Sequence, residues 1–263
     1  MKYRFLILLT LSAIAALSEA QTPEQQGLEI AREYDVRDIG YKDYTANMEM
    51  ILINAQGEQS VRNLRTRTLE IEQDGESERR LLVFDRPADV RGTILLTASK
   101  KTRSDDQWLY FPAIKRHKRI SSNNKSGPFM GSEFAYEDFS SPEVDKYTYK
   151  YLRDETCVDN LSCFVLERYP IEQDSGYSKQ ILWIDKAEYR LWQVHFYDRK
   201  ESLLKKLKIS GYKQYLGKFW RAEAMEMENV QTRKQTVLNW SAYEFHVGLE
   251  IAEFQPNRLR TIR

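Results

Sequence analysis

Acidic and aromatic residues alternate along GPFMGSEFAYEDFSSPE, residues 127–143. Glu133, Glu137 and Asp138 are of the type that does general acid–base work when held in pairs. Ser132, beside them, is of the type that attacks a carbonyl when a base orients it. The spacing supports neither chemistry. Gly131-Ser132 lacks the second glycine of a nucleophile elbow. The acids, continued by Glu143 and Asp145, do not follow the ligand spacing of a calcium loop. No H-E-x-x-H, Gly-rich phosphate loop or dinucleotide fingerprint occurs in the chain. His117, His195 and His246 stand singly, so no zinc set forms. The sequence therefore predicts no catalysis, no metal and no cofactor. Gly127-Pro128 and Gly131 permit a sharp turn. That turn would tip Phe129, Met130, Phe134 and Tyr136 inward and leave Glu133, Glu137 and Asp138 to water, making the stretch a flap or rim, with a rigid plug that completes the core as the alternative.

Two further features bound the setting. Lys2 and Arg4 precede the apolar run FLILLTLSAIAAL, and Ser18-Glu19-Ala20 supplies small residues for cleavage after Ala20. This is the pattern of a secretory signal peptide, leaving residues 21–263 as an exported chain. Export through an oxidising compartment makes Cys157 and Cys163, in CVDNLSC, a disulfide pair. The formal net charge of the full chain is +1, and setting aside Lys2, Arg4 and Glu19 leaves the remainder neutral. Nucleic acid is therefore not a predicted partner. The densest basic run, KRHKR at 115–119, reads either as an edge strand protected by its charges or as a patch for anionic headgroups.

The elements that position these residues follow from periodicity. Thr22, Pro23 and Gln25 form an N-cap, a first-turn proline and a capping-box partner, predicting a helix over 23–38. The period then changes to two. Alternation from Tyr44 to Leu52, a turn at 56–59 and a return strand over 61–71 open a long series of antiparallel hairpins. Further strands are predicted near 79–87, 92–99, 105–111, 115–121, 146–153, 163–170 and 178–185, and then over 189–198, 202–215, 219–229 and 234–245. Their spacing predicts an up-and-down meander in one domain over 21–263. Large flexible or aromatic residues recur on single faces: Met48 with Met50, Trp108 with Tyr110, Trp183, and Met225 with Met227. Such side chains suit an ordinary core or an adaptable apolar cavity.

WLYFPAIKRHKRIS, GPFMGSEFAYEDFS and LLKKLKISGYKQYLGKFWRAEAMEMENVQTRKQTVLNWSAYEF resemble the LolA-like outer membrane lipoprotein-sorting family. The resemblance runs from the first helix to FQPNRL, and the F-M-G-S-E-F-x-Y-E-D block is its most specific part. It implies a mainly β fold with a few helices, in which a strongly curved antiparallel sheet forms a half-open β-barrel with a helical and loop lid. It also implies a periplasmic carrier that takes acyl chains of a lipid or lipoprotein into a hydrophobic cavity. The alternative it implies is a non-enzymatic adaptor of an inner-membrane RND/MMPL-type exporter. On this reading the protein acts as a monomer. Met48, Met50, Trp108, Tyr110, Trp183, Met225 and Met227 then line the cavity together with Phe129, Met130, Phe134 and Tyr136.

Overall fold

A computed structural model of the chain describes residues 21–71, 73 and 75–262. The leader assigned to residues 1–20 lies outside the described residues.

Helix α1 spans Pro23–Arg37 and begins where the capping chemistry places it. The Thr22 hydroxyl accepts from Gln25 N at 3.2 Å, and Gln25 Oε1 accepts from Thr22 N at 2.9 Å. Strands follow as β1 (Asp43–Ile53), β2 (Gln59–Glu70), β3 (Glu76–Arg86), β4 (Ile94–Lys100), β5 (Asp106–Phe111) and β6 (Arg116–Ile120). After a long connection come β7 (Tyr147–Thr156), β8 (Ser162–Pro170), β9 (Tyr177–Asp185), β10 (Leu191–Asp198) and β11 (Leu203–Ser210). The chain ends with β12 (Lys213–Tyr215), β13 (Phe219–Arg221), β14 (Ala224–Asn229) and β15 (Lys234–Phe245), then short 3-10 turns to Thr261. The predicted single strands at 202–215 and 219–229 are each broken. Gly211, at φ +68°, turns the chain out of β11, and β12 and β13 pair separately before β14 rejoins the main sheet.

Thirteen strands make one antiparallel sheet in the order β6-β5-β4-β3-β2-β1-β15-β14-β11-β10-β9-β8-β7. A plain meander would leave β1 and β15 at the edges. Here they pair with each other, Met48 opposite Trp240 and Met50 opposite Leu238. The sheet is thus sewn together at its chain ends and open between β6 and β7, which is the half-open barrel expected. The exposed Arg116, His117, Lys118 and Arg119 lie on edge strand β6, where charge discourages edge-to-edge association.

Alternation sorts the side chains onto two faces. The inner face carries Met48, Met50, Leu64, Leu82, Phe84, Leu95 and Leu109 from one half, and Leu182, Val194, Leu207 and Met227 from the other. The outer face of β3–β5 is buried as well, because the C-terminal segment lays Phe254 and Leu259 on Leu81, Val83, Ile94, Leu96 and Tyr110. A second outer cluster gathers Val165 and Trp183 around the Cys157–Cys163 disulfide, whose Cα atoms are 5.9 Å apart.

α1 packs across β7 closely enough to require a glycine. A Cβ on Gly27 would lie 2.8 to 2.9 Å from backbone atoms of Lys150 and Tyr151. Backbone of this kind cannot rotate away, so Gly27→Ala is expected to lift the helix and lower stability by about 1–3 kcal/mol despite its better helix propensity. Denaturant unfolding of the two proteins measures the difference.

Candidate functional site

Since β6 and β7 are the two free edges, the chain between them must cross the inner face. Residues 121–146 make that crossing and hold partners on both halves of the sheet. Gln107 Nε2 on β5 donates to Tyr136 O at 2.9 Å, Ser141 N donates to Ser99 Oγ on β4 at 3.2 Å, and Glu133 N donates to Thr236 Oγ1 on β15 at 2.9 Å. Against Phe84, Leu95 and Leu109 of β3–β5 the segment packs as part of the core. Phe129 is 0% exposed, with its ring centroid 5.8 Å from that of Phe84 and 4.6 Å from that of Phe139. Here the crossing segment packs like a plug, its aromatic rings lying on an apolar wall.

The other half is hollow. Between the segment, α1 and strands β8–β15 lies a cavity of about 610 Å³. The inner face of this half is organised in rows running across the strands, and Arg168, Gln180, Val194, Phe196, Leu207 and Met227 are the members that line the cavity. Register places Leu166, Leu182, Val194, Leu207 and Met227 side by side. Two residues further along each strand, on the same face, stands a second row: Arg168, Gln180, Phe196, Lys205 and Asn229. On the opposite flank Ile209 pairs with Met225, and Met225 with Leu238. An apolar band is therefore bordered by one that is polar apart from Phe196.

The acids of the crossing segment close down on that polar row. Glu133 Oε2 accepts from Asn229 Nδ2 at 2.7 Å. The Asp138 carboxylate accepts from the Tyr177 hydroxyl at 3.0 Å and lies 4.0 Å from Lys205 Nζ. Glu137 accepts from Ser175 Oγ at 2.8 Å and from Gly176 N at 2.9 Å. The sequence reading turns these three acids to water; the fold turns them onto the sheet, where each has a donor. Other charges at the cavity are paired too: Arg80 with Glu78 at 2.8 Å, Lys146 with Asp105 at 2.6 Å, and Arg190 with Asp185 at 2.8 Å. Burial pushes the Tyr34 phenol up to about 12, so it faces the cavity as a neutral hydroxyl. Among the described residues no cluster of three or more His, Cys, Asp or Glu could hold a metal ion.

The sequence-predicted lining residues separate into three groups. Phe134, Met225 and Met227 border the cavity. Met48, Met50, Phe129, Met130 and Tyr136 lie in or against the inner core, away from the cavity and mostly beneath the plug. Trp108, Tyr110 and Trp183 are on the outer face. Their neighbours Leu109, Leu182 and Ile184 take the inner face, and alternation leaves the aromatic rings no other side. Missed by the sequence reading were Val194, Leu207 and Ile209, aliphatic residues that no motif marks, and the tyrosines of α1 and β7.

Glu137 carries a pH signature. Burial, reinforced by the neighbouring Asp138 carboxylate, pushes its carboxyl up to about 7 from an ordinary 4.5. The folded protein therefore retains a proton that the unfolded chain releases between those values. This contribution to stability is whole below about 4.5 and is lost as pH rises through about 7. Thermal unfolding midpoints recorded from pH 5 to 8 are expected to decline less in Glu137→Gln than in the parent; an equal decline would remove the assignment.

A family model whose description reads "Uncharacterized protein" matches residues 76–261. No curated protein matches the chain. Among solved structures, one described as an outer membrane lipoprotein-sorting protein domain from Vibrio parahaemolyticus is 54% identical, covers 90% of this chain and 99% of its own, and superposes with a TM-score of 0.87. A DUF1329 family protein from Desulfovibrio piger is 33% identical over 90% of this chain and 99% of its own, with a TM-score of 0.85. A LolA superfamily protein from Nitrosomonas europaea shares the fold at 21% identity, 88% and 98% coverage and a TM-score of 0.69. With its open sheet and its inner hollow, the chain belongs to the family of its outer membrane lipoprotein-sorting and DUF1329 relatives and shares the LolA fold.

Proposed function

We propose that this protein is a periplasmic carrier that shields the acyl chains of a lipid or lipoprotein in its cavity and moves them towards the outer membrane, as a monomer and without catalysing a reaction. The observation that carries the reading is the hollow on the inner face. Its volume, about 610 Å³, falls within the roughly 300–1,000 Å³ of small-molecule sites. We assign Phe134, Met225 and Met227 as ligand-contacting residues, with Val194, Leu207 and Ile209 beside them. Each methylene buried there contributes about 0.8 kcal/mol, and methionine rotamers adapt to chains of different shape. Family membership supports the same role, since the Vibrio relative is described by lipoprotein sorting.

A hydrolase has less support. Ser132 is buried, and its hydroxyl donates to Phe134 O at 3.2 Å. His117 sits on edge strand β6, while His195 lies beside Trp183 with ring centroids 4.7 Å apart on the outer face. Neither can orient that serine as a base. Among the described residues no helix is long and apolar enough to cross a membrane.

Native mass spectrometry of protein released from the periplasm without detergent tests the proposal. Bound lipid is expected on the parent protein. Met225→Trp, which fills the hollow from a half-buried position, is expected to lose most of that lipid while keeping its unfolding temperature within a few degrees. A parent protein that is empty, yet binds an RND/MMPL-type exporter tightly, would make it an adaptor instead.

A further inference from the structure

We propose that the cavity selects a lipid bearing its own anionic headgroup, a carboxylate or a phosphate, which Arg168 holds together with the hydroxyls of Tyr34 and Tyr147. This inference rests on the carrier reading and specifies its ligand.

The argument starts from the polar row. Asn229 is met by Glu133, and Lys205 by Asp138 and Tyr177. Arg168, the last member, is directly paired with no acid, its charge reaching Asp138 only from beyond ion-pair distance. It is only 8% exposed. Its Nε donates to Gln180 Oε1 at 2.8 Å, and its Cζ stacks 4.3 Å from the Tyr147 ring centroid. No hydrogen bond engages either Nη group, and no carboxylate of the described residues comes within 4.0 Å. The other buried or half-buried cations at the cavity, Arg37, Arg80, Lys125, Lys146, Arg190 and Arg221, each have a carboxylate in that range.

A guanidinium cannot relieve its burial by losing a proton. A buried charge without a directly paired opposite charge is costly, and an anion supplied from outside lowers that cost. Four unused N–H donors on a planar fork fit the oxygens of a carboxylate or phosphate. Tyr34 and Tyr147 also border the cavity, and neither hydroxyl has a hydrogen-bond partner among the described residues. Burial raises both phenols above their ordinary range, so they remain neutral donors. The apolar row from Leu166 to Met227 begins two residues away along the strands, about 7 Å at strand rise. A head on Arg168 therefore has Val194, Leu207 and Met227, the members of that row that line the cavity, to receive its tail. Acyl chains whose polar end is a protein offer no such charge.

Competition against a fluorescent apolar probe, using hexadecanoate, hexadecyl phosphate, hexadecanol and inorganic phosphate, provides the test. The parent protein is expected to bind at least one of the two anionic amphiphiles roughly ten- to a hundredfold more tightly than hexadecanol, as a charge-assisted hydrogen-bonded contact implies. Which of the two wins separates a carboxylate head from a phosphate head. Arg168→Gln and, independently, Tyr34→Phe are expected to narrow that ratio while hexadecanol affinity is retained. Equal binding of charged and neutral chains by the parent protein would overturn the headgroup assignment and leave the carrier reading standing. Failure of every long chain to bind would overturn the carrier reading itself. Binding of inorganic phosphate with no gain from an alkyl chain would make this a free-anion site and overturn the inference.

Discussion

The pairing of β1 with β15 governs the rest of the molecule. Antiparallel closure at the chain ends moves the two unpaired edges to the middle of the sequence, onto β6 and β7. A chain that finishes one edge strand and must begin the other has to pass over the inner face. Every feature of the cavity descends from that passage. The crossing segment supplies the packing for one half of the sheet, the boundary of the hollow in the other half, and the acids that meet the polar row.

Its two halves behave differently because they meet different surfaces. Towards β1–β6 it faces Phe84, Leu95 and Leu109, and its rings sink into them as in an ordinary core. Towards β8–β15 it presents Glu133, Glu137 and Asp138, which need donors when removed from water. They find them on Asn229, Ser175, Gly176 and Tyr177. Reaching those donors holds the segment at the polar row, and beside the contact a gap remains over Val194, Leu207 and Met227. The hollow is thus bordered on this side by hydrogen-bonded buried acids rather than by apolar packing.

A cavity of this construction suits a ligand that is long, apolar and variable. Its aliphatic and methionine wall makes no directional demand, while its tyrosines and paired charges keep the margins wetted. Most of the ion pairs there are satisfied internally and so contribute shape rather than attraction. Specificity, where the wall has any, must come from the donors that the protein itself leaves unused.

Much of this was legible in the residues. The capping box at Thr22 and Gln25, the alternation that defines nearly every strand and the disulfide are local or compositional signals, and local chemistry determines them, whereas the half-open fold was implied by the family resemblance. The runs LLVF at 81–84 and ILL at 94–96 also mark strands covered on both faces, although what covers them, the C-terminal segment around Phe254 and Leu259, is written far away. The choice of lining residues was not legible. Trp108, Tyr110 and Trp183 carry the strongest apolar signal in their strands, yet they face outward, because parity within a strand is fixed by which neighbour packs on the inner core. Nor could spacing reveal that Glu133 and Asp138 would be spent on Asn229 and Lys205 while Arg168 was left without an acid. Sequence alone set the elements, their alternation and the chemistry available; only the closure of β1 on β15 decided which face became the inside and which charge on it stayed unmatched, since those contacts join residues that no local rule connects.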